Sequence, residues 1–554
     1  MRLVHRSLLA LSILVGVPGG APPLHAQRAP TPDARVAAAI RGDVLWAHEK
    51  FLADDLLEGR GTGTRGAELA AQYVASQFMA LGLDPAGDSG TYFHDVPVVS
   101  LTPAATLDVT TGAPARALRF REDFVAWAER PESSVTVAGE LVFVGFGITA
   151  PEWNWDDYKG LDVRGKILVM LVNDPGLRNP DIFRGRILTY YGRWTYKLEE
   201  AARRGAAGVL LVHNYEMATY GWSTVVNSWT GDQVRLASAP GTLVLAGWVQ
   251  QPVATELLGA RGLDLAQLMA QAARRDFRPV ATGIEVRIGV RSTLRRTNTV
   301  NVVGRLPGSD PVLREEAVLI TAHYDHLGIG APVNGDSIMN GAVDNASGVS
   351  AILGVADAFV RTGVRARRSL VFIAFTGEEK GLLGSAAYAA RPTIQPAMLA
   401  AILNLDPANL WGATRDIAAL GTDQSSLGRA FEQAARAERL RVVTDSTALL
   451  HGSFFRSDHF PLARSGVPGL SFESGHDFVS HPATWGAQQQ ETFTRDRYHQ
   501  PGDELLPWYT PDGALQQARV LARTALIVGN AAGQPTWNAT SEFRAAGERR
   551  AGGR

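Results

Sequence analysis

Four apolar runs constrain this chain most, because each ends in an acid or a histidine: AVLITAHYDH, SLVFIAFTGEE, AAILNLD and PGLSFE, all between residues 317 and 473. Helical segments separate them. Alternation of this kind predicts an α/β fold, three layers deep, with a mostly parallel central sheet flanked by helices. In such sheets ligands bind at the carboxyl ends of the strands, where these polar residues fall. The most demanding end is VFIAFTGEEKGLLGS, residues 371–385, where a strand-forming run stops at Glu378 and Glu379. Adjacent carboxylates at a buried strand end cost free energy unless something positive binds them. The alternative is a solvated helix start, where negative charge suits the dipole.

The neighbouring strand ends favour the first reading. TAHYDHLG supplies His323 and Asp325, and LNLDPANL supplies Asp406. Asp344 precedes a helix whose Val349, Leu353, Ala356 and Phe359 form an apolar stripe, and DRYHQPGDE supplies His499. Zinc accepts imidazole nitrogen and carboxylate oxygen. Two ions a few Å apart need one shared anionic bridge, plus a carboxylate and an imidazole on each side. The set supplies this once, with one glutamate left over, and a spare carboxylate beside activated water is what a general base requires. The remaining histidines of this half, His326, His451, His459, His476 and His481, read as structural or loop residues. His481 is the rival to His499 as the last ligand.

Bulk properties narrow the function classes. At 554 residues the chain is too long for one core, so two or more domains are expected. Lys+Arg 54 against Asp+Glu 55 gives a net charge of −1, which argues against a nucleic-acid partner. There is no cysteine, so disulfides, thiol nucleophiles and Cys-ligated metals are excluded. The opening MRLVHRSLLALSILVGVPGGAPPLHAQ has a basic start, a short apolar stretch and small residues near Ala26. It predicts an export signal over residues 1–26 and a periplasmic or secreted protein. No later run reaches the roughly 20 apolar residues of a membrane span, so no membrane anchor is expected.

Along the chain, residues 33–83 read as helices, with a glycine-rich loop, LEGRGTGTRG, that lacks the Gly-Lys-Ser/Thr of a phosphate loop. Short β runs such as KILVMLV and AGVLLVHN mark a second, smaller β-rich α/β module. The expected division is 33–130 and 295–535 for one split domain, 131–290 for an inserted one, and a disordered tail over 536–554.

His323-x-Asp325, Asp344-Asn345, Glu378-Glu379, Asp406 and His499, in this order, resemble the co-catalytic zinc exopeptidases, a family that includes bacterial secreted aminopeptidases and glutamate carboxypeptidases. SDHFPLARSGVPGLSF and LADDLLEGRGTGTRGAELAAQYV are similar to that family too, and the middle module resembles a protease-associated domain. The resemblance implies two zinc ions per chain and peptide substrates. Asp344 would bridge the ions, His323 and Asp406 complete one site, and Glu379 and His499 the other. Glu378 would be the base that activates the water between them, and Asp325 would orient the His323 ring. A cis peptide is implied at Asp344-Asn345. One departure stands out: family aminopeptidases carry an oxyanion-stabilising tyrosine before Ser-Asp-His, and this chain has Phe454, Phe455 and Arg456 there. The implied activity is a zinc aminopeptidase. A carboxypeptidase or dipeptidase on the same scaffold and a glutaminyl-peptide cyclotransferase are the alternatives, and the oligomeric state is left open.

Overall fold

The structure, a computed structural model, describes residues 30–110, 116–238 and 243–553. The expected export signal, residues 1–26, lies outside them. Helices α1 (Pro32–Ala39), α2 (Gly42–Leu52) and α3 (Arg65–Ala80) open the described chain. Two very long strands follow, β1 (Phe93–Thr110) and β2 (Val280–Leu306), which pair antiparallel from Phe93↔Val302 to Glu285↔Thr110.

The strands that carry the polar ends are β3 (Ala317–His323), β4 (Ser369–Phe375) and β5 (Leu399–Leu405). β3 lies between the other two and is parallel to both. Strand β6 (Asp416–Leu420) pairs antiparallel with β7 (Gly469–Ser474), which runs parallel to β5, and the short strand Arg441–Val442 lies outside β6. Every residue of β3, β4 and β5 is buried. Both faces are covered, so these strands read as unbroken apolar runs rather than as alternation. Register then aligns their ends: His323 pairs with Phe375, and Thr321 with Asn404, two residues before Asp406.

Helix α4 (Ser347–Thr362) runs under the sheet, and its predicted stripe residues Val349, Leu353, Ala356 and Phe359 are all fully buried. Its other faces are buried as well, against α1, α2 and α5 (Asp512–Asn530). The span Ala342–Thr362 is long and apolar enough to cross a membrane, contrary to the sequence reading, yet 89% of its apolar window is inside the protein. A helix enclosed on all sides has no polar face to keep.

The segment between β1 and β2 forms a lobe around a sheet of its own strands, Phe124–Ala128, Ser134–Phe143, Ile167–Leu171, Gly208–His213 and Leu245–Gln250. Two apolar clusters cover its faces, and one of them draws in Leu107 and Val109 of β1 and Val286 and Ile288 of β2. The expected boundary at 290–295 falls inside β2. That strand pairs with Ser134–Phe143 through its first half and with β4 through Val302–Leu306. A continuous ribbon therefore joins the two regions. Strand alternation carries no punctuation where the sheet passes from one to the other, so the boundary was invisible as a linker.

The tail also differs from expectation. Residues Arg544–Ala551 form helix α6, and Trp537 and Phe543 are buried with Phe454, Phe455 and Phe460. Trp537 Nε1 donates to the Gly466 carbonyl at 3.1 Å, and Arg550 Nε donates to the same oxygen at 2.9 Å. Averaged composition hid these two aromatic anchors among polar residues. Trp537→Ala is expected to lower unfolding free energy by about 3–5 kcal/mol, as for other large core truncations. Urea unfolding monitored by circular dichroism checks this; an unchanged midpoint would mean that the tail adds nothing to stability.

Candidate metal centre

The aligned strand ends bring His323 and Asp406 side by side, with His323 Nε2 3.2 Å from Asp406 Oδ1 and 3.3 Å from Asp344 Oδ1. The other oxygen of Asp344, Oδ2, is 3.4 Å from His499 Nε2, which is itself 3.1 Å from Glu379 Oε2. Asp344 thus offers one oxygen to each side. Its backbone is held in an irregular turn between β3 and α4. The Asp344–Asn345 peptide is cis, as the resemblance implied. Asn345 Nδ2 donates to the Leu405 carbonyl at 2.9 Å, and its Oδ1 accepts from the Gly348 amide. Gly341 enters this turn at φ +56°, and a Cβ there would lie 2.3 Å from the Asp344 carbonyl and 2.5 Å from the His326 ring. Only glycine fits.

Asp325 departs from its expected part. His323 Nδ1 meets the backbone carbonyl of Asp325 at 3.0 Å, whereas the Asp325 carboxylate is 3.8 Å away. That carboxylate instead accepts from Thr62 Oγ1 at 2.6 Å and from the Glu378 amide at 3.1 Å. The main chain therefore orients the ring, and the side chain steadies the glutamate loop. The reason is geometric: a carbonyl one residue beyond Tyr324 already fills the Nδ1 direction.

Three residues were missed or read blandly. His326 is fully buried, its Nδ1 2.6 Å from Glu379 Oε1, so Glu379 has one histidine on each oxygen. Asp503, in the same QPGDE run that follows His499, accepts the amides of Val343 and Asp344 at 3.0 Å each. Its position four residues after His499 was the available signal. Tyr498 stacks on His499 with ring centroids 3.8 Å apart. Burial pushes its phenol well above the usual range, reinforced by Asp344, Glu379, Glu378 and Asp406. The residue as a whole is 43% exposed. His481 stacks on Trp485 and takes no part.

Electrostatics separates the two glutamates. Burial pushes Glu378 well above the carboxylate range; His323 opposes this, while Asp406, Glu379 and Asp458 add to it. Burial acts the same way on Glu379, but His499 and His326 outweigh it and hold that carboxyl well below its ordinary value. Asp344 is drawn down to about 2, because His323 and His499 outweigh burial and the Glu379 charge. Burial opposes charge on His323 and His499, yet the acids beside them win, lifting His499 to about 10.

These donors suit a metal. Among the described residues, His323–Asp344–Asp406 and His326–Asp344–Glu379 could each hold an ion, and His499 Nε2 reaches the same two carboxylates as the second group. The buried Nε2 of His326 has no hydrogen-bond partner. All candidates are imidazole nitrogen or carboxylate oxygen, the set that zinc accepts. A cation entering here must displace imidazolium protons. Affinity should then rise with pH through the neutral range, by about tenfold per unit for each proton displaced. Calorimetric zinc titration in buffers of different ionisation enthalpy would detect proton release; pH-independent uptake without it would contradict the assignment.

The description Peptidase family M28 matches residues 301–524, the stretch that carries every residue of the cluster. Leupeptin-inactivating enzyme 1 of Streptomyces exfoliatus is 29% identical over 37% of this chain and 43% of its own length. Aminopeptidase YwaD of Bacillus subtilis is 26% identical over 37% of this chain and 42% of its own. The chain thus spans less than half the length of these curated relatives. Among solved structures, an aminopeptidase from Aneurinibacillus sp. strain AM-1 aligns with a TM-score of 0.47 at 19% identity, covering 89% of this chain and 95% of its own. Residues 301–524 are thus similar to peptidase family M28.

Proposed function

We propose that the chain is a zinc-dependent aminopeptidase that holds two zinc ions and removes N-terminal residues from peptides. The observation that carries this reading is the division of labour around Asp344, whose two oxygens face separate sets of donors. His323 and Asp406 would hold one ion, Glu379 and His499 the other, and Asp344 would be shared. Bound zinc supplies Lewis acidity and makes water a nucleophile near neutral pH.

The chain's own groups do the rest. Glu378 stands beside the proposed ions without being assigned to hold either; with zinc's positive charge next to it, the ionised carboxylate would take the proton of the attacking water and return it to the leaving amine. Tyr498 keeps its hydroxyl proton under the surrounding negative charge and remains a donor toward the substrate carbonyl. It fills the part that Phe454 and Phe455 cannot, since both are apolar and buried. The lobe between β1 and β2 sets access: Tyr190 packs on Phe460 and Phe455, with ring centroids 5.0 and 6.0 Å apart, next to the Ser457 loop beside Asp406. The names of these relatives, a leupeptin-inactivating enzyme and an aminopeptidase, support a peptide substrate.

Glu378→Gln is expected to keep both ions while hydrolysis of an aminoacyl-anilide falls by roughly 10²–10⁴-fold. Glu379→Gln should instead lose one ion, because a ligand charge disappears from a cluster of acids. Zinc content and rate, measured on both, decide between them. Reversal of the two outcomes would exchange the roles, and hydrolysis of N-blocked peptides alone would overturn the aminopeptidase reading.

A further inference from the structure

The glycine-rich loop LEGRGTGTRG, whose Thr62 already donates to the Asp325 carboxylate, also carries a fully buried cation. Arg60 is 1% exposed, and no acid forms an ion pair with it among the described residues. Its guanidinium is spent on main-chain carbonyls instead. Nε donates to Tyr324 at 2.8 Å, Nη2 to Gly341 at 2.9 Å, and Nη1 to Asn340 at 2.6 Å and to Leu52. Tyr324 lies between His323 and Asp325, and Asn340 and Gly341 lead directly into the Asp344 turn. One side chain therefore ties together the two loops that carry His323 and Asp344.

The backbone is shaped for this. Glu58, Gly59 and Arg60 have φ of 52°, 65° and 49°. A Cβ on Gly59 would lie 2.4 Å from the Met339 carbonyl and 2.6 Å from that of Gly328. The Arg60 carbonyl in turn accepts the His326 amide at 3.1 Å, and Gly61 pairs with His326 as an isolated bridge. The nearest buried acid on the N-terminal side, Glu49, is pushed up to about 8 by burial, so it does not cancel the charge. A planar fork with five donors reaches carbonyls in several directions, which a lysine ammonium cannot do.

We propose that Arg60 is a positioning residue for the metal centre, holding the His323 and Asp344 loops at the separation that metal binding requires. The N-terminal segment, outside residues 301–524, would thereby set metal affinity. This assignment rests on the metal reading above. The test compares zinc dissociation constants, by competition with a chelating dye, for wild type, Arg60→Met, Arg60→Lys and Arg368→Met. Arg368 is an equally buried arginine at the opposite end of the strands, donating to the Val528 and Ala531 carbonyls. Both Arg60 variants are expected to bind zinc about 10–100-fold more weakly at a temperature where circular dichroism shows them folded. Arg368→Met should lose melting temperature but keep wild-type zinc affinity. If Arg60→Met does not fold, Arg60→Lys carries the test. Unchanged affinity in a folded Arg60 variant, or an equal loss in Arg368→Met, overturns the assignment alone. A wild-type chain that takes up no zinc overturns the metal reading with it.

Discussion

Everything in the cluster depends on one shared carboxylate. Asp344 gives one oxygen to His323 and the other to His499, and those two histidines lie near opposite ends of residues 301–524. A carboxylate can serve two sides only if its backbone is fixed, because a rotation that improves one contact spoils the other. The turn around Asp344 is accordingly over-determined. Asp503 takes its amides, Asn345 fastens it to the end of β5, and Gly341 lets the chain pass under His326. Such supporting contacts to groups that bind metal are worth as much as the ligands' own identity.

The adjacent glutamates show how position divides identical chemistry. Glu379 is enclosed by two histidines and stays ionised, whereas Glu378, one residue away, meets more negative than positive charge and is driven toward its neutral form. Consecutive residues after a strand point in different directions, so neighbours in sequence need not share an environment. The pair that seems redundant in the sequence is two different groups in space.

The long β1–β2 ribbon gives the lobe a rigid attachment. A lobe tethered by a flexible linker would leave Tyr190 free to leave Phe455 and Phe460, whereas an uninterrupted antiparallel pair of this length limits such movement. Ion and aromatic contacts across the seam, including the partly exposed pair of Arg464 Nη1 and Glu199 at 2.7 Å, add to this. Access to the strand ends is thereby coupled to the geometry of the sheet itself.

Much of this was legible in the amino-acid order. Unbroken apolar runs specify buried parallel strands because period-two alternation disappears when both faces are covered. Acids and histidines at three such ends mark a candidate cation site, because burying them unpaired is costly. Other features had no local signature. The exchange of roles at Asp325, where a main-chain carbonyl rather than the carboxylate orients His323, depends on which group fills the Nδ1 direction after folding. The closeness of His326, Asp503 and Arg60 to the cluster arises from contacts across 53, 159 and 281 positions of the chain. The ordered tail depends on Trp537 finding the Gly466 carbonyl and an aromatic pocket made by residues some eighty positions earlier. Sequence periodicity and residue type determined the strands, their ends and the chemistry available there. Only the tertiary structure decided which oxygen faces which nitrogen, because that choice rests on contacts between segments whose order along the chain says nothing of their distance in space.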